Sequence, residues 1–501
     1  MKYPVLFFAL IATLFLGGAC QKEQSFLLSG DARLEFSVDT LRFDTVFTAR
    51  GSATRYLKVY NTYDQPLLVS NIALPVGGSS FFRMNVDGIP GDMVEDIEIL
   101  PNDSIYIFLE VTVDPDQPPS VSPFVVEDRI TFTLNGNTQE VYLEAWGQNA
   151  NYLPSQFNKG VPVLLSCNLS EVVWDDPRPY VLFGEIFIDS CTLVIPAGTQ
   201  IYVHGGIARN ELFGAFNDGI LWTFEKGSLQ IDGTAEKPVV IQGDRLEPAF
   251  SEEPGQWYGI RLGRGSKNNR IRYASIKNSI YGLIVDSLAS VQLNNTRIYN
   301  TNGSGLIGYH GNITANNCLF YNNYSPSFQA ILGGTYQFNY CTFASYGVDA
   351  SAVSMSNFRC YDNPLICDQL AYRPLRATFN NCIIFGSRKD ELTLLDISGG
   401  QTPELFQLRM ENCVVRVEEL LTEQDGLYKD FFDKICLNCI PGKREDPLFA
   451  DLNADDYRLS ETSIALEKAK PLTFPLRIGI DLEGNPRDPE KPDIGCFEYQ
   501  P

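Results

Sequence analysis

The sequence predicts an all-β protein in two parts, an antiparallel sandwich followed by a right-handed parallel β-helix. Three observations carry that reading. Residues 31–150 hold short runs of alternating apolar and polar residues cut by turn residues, with no helical period. Residues 271–417 repeat at a step near 22 residues, again with period-2 alternation inside each unit. Units that short bury an inward face only against their neighbours, which is the logic of a solenoid.

Taken in order, Met1–Ala19 carries one basic residue, an apolar run Val5–Leu16 and the small residues Gly17-Gly18-Ala19. That is the layout of a secretory signal, with an apolar run too short to span a bilayer. Cys20 directly follows it and resembles the lipobox cysteine of bacterial lipoproteins, where cleavage precedes the cysteine and lipid is added to its sulfur. The usual Leu three residues before the cysteine is replaced by Gly17, with Leu16 one place further back, a loosened pattern similar to Bacteroidota-type lipoproteins. Gln21-Lys22-Glu23 resembles the short charged surface-export tag of that group. The resemblance implies lipidation at Cys20, an outer-membrane location and display at the cell surface. Residues 20–30 are polar and form a tether.

Strands are expected at Leu34–Phe47, Tyr56–Tyr60, Leu67–Leu74, Ile97–Val113 and Ile130–Ala145, broken at Asn61–Gln65, Pro101-Asn102-Asp103 and Asn135-Gly136-Asn137. About seven strands at this spacing make a two-sheet sandwich over 31–150. The stretches FDTVFTARG, VYNTYDQPLLVSNI and LPNDSIYIFLEVTVDP resemble the immunoglobulin-like domains of the abnormal-spindle and Hydin type, which implies a spacer or protein-binding module.

The solenoid is expected over 151–445, with 446–501 as its closing coils or cap. Aligned repeats place Ala274, Thr296, Cys318, Cys341, Cys382 and Cys413 in one column, and Ile276, Ile298, Phe320, Phe343, Ile384 and Val415 in a second. The steps are 22, 22, 23, 41 and 31 residues, so the two long ones carry insertions. Asn278, Asn300 and Asn322 also align, and a stack of Asn side chains can hydrogen-bond along a solenoid. CTLVIPAGTQIYV, GSLQIDGT and GQWYGIRLGRG resemble the opening coils of right-handed β-helix proteins of the pectate-lyase-like fold. DPLFADLNADDYRLSETSIAL and GIDLEGNPRDPEKPDIGCFEY resemble the closing coils of surface β-helix proteins.

Composition narrows the chemistry. The net charge of −22 repels nucleic acids and polyanionic glycans unless a basic patch reverses it locally, and no run of Lys and Arg is dense enough to do so. Nucleic acid is therefore not an expected partner. Two histidines, His204 and His310, leave little room for an imidazole metal site, and no metal or cofactor is expected. Of the 12 cysteines, the column Cys318–Cys413 reads as small apolar residues packed inside, since Ala274 and Thr296 share the column. Export allows disulfides, for which Cys360 with Cys367, Cys436 with Cys439, and Cys167 with Cys191 are the candidates. A zinc site assembled from the first two pairs is the competing reading. Asp451, Asn453, Asp455 and Asp456 alternate like a calcium loop but lack its Gly and Glu, so a turn is expected.

The fold hosts pectate lyases, polygalacturonases and alginate lyases, so catalysis needs a test. The polygalacturonase pattern of paired acids, a Gly-His-Gly and an Arg-Ile-Lys is not met by Tyr309-His310-Gly311-Asn312, by Arg270–Arg272 or by Asp175-Asp176. A lyase neutralises the substrate carboxylate through calcium or cationic side chains and supplies a Lys, Arg, His or Tyr base, and Lys and Arg do not gather on one strand face of the aligned coils. No catalytic residue is assigned. Trp257, Tyr258, Tyr321 and Tyr324 are candidate glycan-stacking rings, with core packing as the alternative. Asp-Ser/Thr-apolar triplets such as Asp286-Ser287-Leu288 resemble Bacteroidota O-glycosylation sites and are also ordinary turn sequences. The expected function is a non-catalytic envelope lipoprotein presenting a β-helix face to a glycan or an envelope protein. The alternatives are a polysaccharide lyase or glycoside hydrolase, and a structural subunit of an outer-membrane complex.

Overall fold

The computed structural model describes residues 25–47, 54–75, 80–111, 124–148, 150–153, 162–167, 170–210, 214–246, 249–362, 367–423, 426–473 and 477–500. Residues 1–19, Cys20 and the tag Gln21–Glu23 lie outside them. Among the described residues no helix is long and apolar enough to cross a membrane. The chain divides into two compact units at Asn149/Ala150.

The first unit is a sandwich of two five-stranded sheets. Strict alternation along Ser104–Val111 turns Ile105, Ile107, Leu109 and Val111 inward, where they meet Leu57 and Val59 of the neighbouring strand. The opposite sheet supplies Val69, Ile72, Ile130, Phe132 and Leu143. Asn135 and Gly136 both have positive φ, the requirement of a two-residue turn matched to strand twist, and they join Leu134 to Asn137. One pair departs from the antiparallel expectation: Thr40–Phe47 runs parallel to Asn137–Gln148. The strand Glu35–Phe36 lies antiparallel to Arg55–Tyr60, and the chain then passes to the other sheet at Ser37–Asp39 without reversing. Its second half therefore lands parallel to the last strand.

The second unit is a parallel β-helix. Three sheets of eleven, nine and ten strands run along it, and every neighbouring pair within them is parallel. The first face includes Ala274–Lys277, Arg297–Thr301, Leu319–Asn323 and Thr342–Ser345, the second Gly259–Leu262, Leu283–Val285, Leu306–Tyr309 and Phe328–Ile331. The third includes Ser290–Asn294, Asn312–Asn316 and Gly334–Asn339. Ile276, Ile298, Phe320, Phe343, Ile384 and Val415 are fully buried in one column, with Phe320 stacked on Phe343 at 4.9 Å. Cys318, Cys341, Cys382 and Cys413 are free, fully buried thiols in the adjacent column. Burial pushes the Cys318, Cys341 and Cys382 thiols far up, as expected of residues serving as packing.

The recurring Asn-Asn before this column has a backbone cause. Asn295, Asn317, Asn381 and Asn412 each take positive φ, a conformation asparagine tolerates better than most residues. The preceding residues form the ladder: Asn316 donates to Asn294 at 2.9 Å, Asn339 to Asn316 at 2.8 Å and Asn380 to Asn339 at 2.9 Å. This corrects the expected row of Asn278, Asn300 and Asn322. Those three also have positive φ, but their side chains engage Ser251 and Glu253, Glu252, and Tyr457 respectively.

The 41-residue step carries a hairpin, Phe358–Cys360 with Leu370–Tyr372, between the second and third faces. Leu420, Tyr428 and Phe431 join the main core from the segment that follows Val415, close to the last strands Cys436–Leu437 and Ile440–Pro441. The described residues of 446–500 add no coil, their strands Phe449–Asp451 and Asp456–Leu459 pairing only with each other, which corrects their reading as closing coils. They lie along the outside of the first face: Asn295 donates to the Asp481 carbonyl, Asn317 to Ile480 and Asn381 to Lys470. This strap covers Ile383 and Val414 with Leu448, Leu459 and Ile494, and Leu319 and Tyr321 with Tyr457 and Phe497.

Candidate functional site

Strand register sets the floor of one groove. On the second face Phe187, Trp222, Arg261, Ile284, Ile307 and Gln329 fall in a single outward column, one per coil. Outward apolar residues at two successive coils would be poorly placed in open solvent, yet Ile284 and Ile307 are each only 8% exposed. They form the floor of a cleft of about 980 Å³.

Two walls enclose that floor. Tyr258 and Tyr281 stand on the side reached from the first face, with ring centroids 5.7 Å apart in an edge arrangement. Gly259 lets Tyr258 sit there: its φ is +131°, and a Cβ would stand 1.9 Å from the Tyr281 carbonyl oxygen. The opposite wall combines the positive-φ turn residues Leu288, His310 and Leu332 with the inserted hairpin. Arg359 of the hairpin lies over Tyr309 at 5.1 Å and over Tyr361 at 5.2 Å, and the two phenols hydrogen-bond to each other at 2.5 Å. Arg264 and Arg373 complete the rim.

Electrostatics divide these groups into paired and unpaired. Arg261 donates to Asp286 through Nε at 2.7 Å and Nη2 at 3.1 Å, and Asp286 is the one carboxylate among the lining residues described. Among the described lining residues a two-carboxylate hydrolysis finds no second acid. Ser287 Oγ and His310 Nδ1 are 2.9 Å apart. Burial, and then the Arg373 charge, lower the affinity of His310 for a proton, which keeps the ring neutral near neutral pH. Burial raises the Tyr258 and Tyr309 phenols, so both remain protonated donors.

The sequence candidates divide accordingly. Tyr258 lines the cleft and Tyr324 is 60% exposed elsewhere. Trp257 is not a glycan platform: it is 1% exposed, its Nε1 donates to the Lys277 carbonyl at 2.9 Å, and its ring packs into the solenoid core. Tyr321 is also excluded from such a role, being 8% exposed, stacked on Tyr299 at 4.6 Å and covered by Tyr457. Cations gather here without sharing a strand face: Arg261 stands on the second face, Arg264 in the turn after it, and Arg359 and Arg373 come from the inserted hairpin and the residue that follows it. Extending the 22-residue step would have put Leu288, His310 and Leu332 in one row. The hairpin arginines fall outside the repeat and no spacing could place them.

Cys167 with Cys191, Cys360 with Cys367 and Cys436 with Cys439 are disulfide-bonded, with Cα separations of 5.2, 5.5 and 5.5 Å. Asp362 lies beside the second pair, whose sulfurs are consumed in the bond. In the calcium-like stretch, Asp451 accepts from the Asn453 amide and Asp456 binds Arg458, which is the chemistry of a turn. Asp176 accepts from Arg178 Nε and Nη2, which holds its carboxyl well below the usual range.

No protein-family model and no curated protein matches the chain. Among solved structures, the catalytic unit of a thermostable GH87 α-1,3-glucanase from Streptomyces thermodiastaticus aligns at 10% identity over 72% of this chain and 73% of that one, TM-score 0.26. A GH87 α-1,3-glucanase catalytic domain in complex with nigerose aligns at 12% identity over 74% and 81%, TM-score 0.23. A family 123 glycoside hydrolase from Clostridium perfringens aligns at 8% identity, TM-score 0.17, and this chain spans 26% of its length. At these scores the likenesses carry no statement about the cleft.

Proposed function

We propose that this chain is a lipid-anchored protein of the outer membrane that displays its β-helix at the cell surface and holds an extended glycan in the second-face groove without turning it over. The observation that supports this best is the groove's construction: an apolar floor at Ile284 and Ile307, tyrosine walls at Tyr258, Tyr281, Tyr309 and Tyr361, and hydrogen-bonding groups along the rim. Sugars present apolar C–H faces to aromatic rings and hydroxyls to polar rims, so such a trough suits a chain of them. Asp286, the lining carboxylate, is engaged by Arg261, which favours binding over acid–base hydrolysis. The anchor at Cys20 rests on the sequence.

The test incubates the purified protein with neutral and acidic polysaccharides, with and without calcium, and follows retention, reducing ends and unsaturated products together. Retention without new ends or unsaturation is expected, weakened about tenfold by Tyr258→Ala. Turnover of any glycan overturns the non-catalytic reading and moves the assignment to a lyase or hydrolase. No retention at all moves it to a protein partner or a structural subunit, read by co-purification from membranes. For the anchor, Cys20→Ala is expected to abolish lipid incorporation and release the protein from the membrane fraction. Protection from protease on intact cells would refute surface display.

A further inference from the structure

Several arginines of this acidic chain are paired with carboxylates: Arg178 with Asp176, Arg261 with Asp286, Arg270 and Arg272 with Asp232, Arg458 with Asp456. Arg33, Arg83 and Arg376 bond to carbonyls or a glutamine instead, and Arg264, Arg359 and Arg373 likewise have no carboxylate within ion-pair distance among the described residues; what sets these three apart is that they line one groove together. Arg373 donates Nη1 to the Tyr372 carbonyl, and Arg359 is fixed by the Tyr309 and Tyr361 rings beneath it. Neither contact neutralises a charge.

Three guanidinium groups along one trough with no carboxylate partner among the described residues repel one another, although the chain's net charge of −22 offers many counter-charges. Arg359 rests on the Tyr309 and Tyr361 rings, and the multiple N–H donors of a guanidinium suit a planar carboxylate or a sulfate. The strongly negative remainder of the surface repels long polyanions, so only a ligand entering the trough meets the reversed potential. The walls add ring faces between the cations, which a sugar ring uses and a bare inorganic anion does not.

We propose that the groove ligand is an anionic glycan, uronate- or sulfate-bearing, whose charged groups pair with Arg264, Arg359 and Arg373 while its rings pack on the tyrosine walls. This rests on the glycan-binding reading above and specifies its ligand class.

The experiment uses the full chain and immobilised oligosaccharides of three kinds: oligogalacturonate for the carboxylate arm, a chondroitin sulfate oligosaccharide for the sulfate arm, and methyl-esterified oligogalacturonate as the uncharged control. Each is measured at about 50 and 500 mM salt, with a DNA oligonucleotide as a non-sugar polyanion. The expected result is retention on one or both anionic arms, at least about tenfold weaker binding of the control, and marked weakening at high salt. Arg359→Ala and Arg373→Ala should each lose about tenfold on the anionic arm, and Arg264/Arg359/Arg373 replaced together about a hundredfold or more, with unchanged circular dichroism. Because these side chains are exposed, the variants fold, and Arg272→Ala on the third face serves as a charge control that leaves binding unchanged. Equal binding of the esterified control, lost in Tyr258→Ala, would overturn the anionic assignment and leave the glycan reading standing. Absence of binding to every sugar would overturn both. DNA binding equal to that of the anionic sugars would overturn the proposal in favour of unspecific charge attraction.

Discussion

Arg487→Met is expected to detach the strap 446–500 from the first face. The Arg487 side chain is 1% exposed. Its Nη2 donates to Asn317 Oδ1 at 3.0 Å and to the Gly495 carbonyl at 2.9 Å, its Nη1 to the Asp493 carbonyl and Glu498 Oε2 at 3.3 Å, and its Nε to the Ile480 carbonyl at 3.3 Å. The guanidinium also lies 4.1 Å from the centre of the Tyr340 ring. Bonds to a charged group are worth roughly 1.5–3 kcal/mol each, so a plain sum over five would rival the stability of a whole domain. Desolvating the cation removes several kcal/mol of that, and three of the five bonds are long. Removing one partner of such a buried pair costs about 3–5 kcal/mol, and that is the magnitude expected here. Met keeps the apolar stem over Tyr340, so the loss reports the lost bonds more than a cavity. Burial already raises the Glu498 carboxyl, and without Arg487 it should rise further. Hydrogen exchange on the full chain is the assay, read at amides 480–498 and on the first face beneath. Protection should fall by at least a hundredfold over 446–500 while the third-face ladder keeps its own, and a fluorescent apolar dye should bind the uncovered Leu319–Tyr321 surface. Unchanged protection in the strap, or equal loss throughout the solenoid, would refute the latch.

Glu391 is fully buried and accepts the Arg388 amide at 2.7 Å and the Ala352 amide at 2.9 Å; burial, against those bonds and the nearby arginines, pushes its carboxyl from 4.5 up to about 7. Because the folded form holds the proton more tightly, its contribution is complete below pH 4.5, declines as pH rises through about 7, and amounts to about 3 kcal/mol. Denaturant midpoints across pH 4–8 should show that decline, and Glu391→Gln should flatten it. The five buried free thiols, Cys318, Cys341, Cys382, Cys413 and Cys496, should not react with a disulfide reagent in the native chain and should all react in guanidinium; rapid native labelling would contradict their packing role. Gly259→Ala should lower stability by about 2–4 kcal/mol, because its methyl meets the Tyr281 carbonyl, and should disturb the Tyr258 wall, seen as weakened glycan retention.

Whatever repeats, or is decided between near neighbours in the chain, was legible in the sequence. Period-2 alternation marked the sandwich strands, and the 22-residue step marked the coils and the inward columns through Phe320 and Cys318, because each coil must present the same face to the core as the last. The Asn-Asn pairs were visible, but which member bonds along the axis was not. That depends on the positive-φ turn, which directs Asn295, Asn317 and Asn381 out to the strap and leaves Asn294, Asn316 and Asn339 to form the ladder. The strap and the groove were decided by tertiary structure alone. Arg487 meets Asn317 across 170 positions, and Arg359 reaches Tyr309 from an insertion outside the repeat. A local pattern records which side of a strand faces inward. It holds no record of which distant segment will cover the outward side, because that is settled by contacts formed only once the coils have stacked.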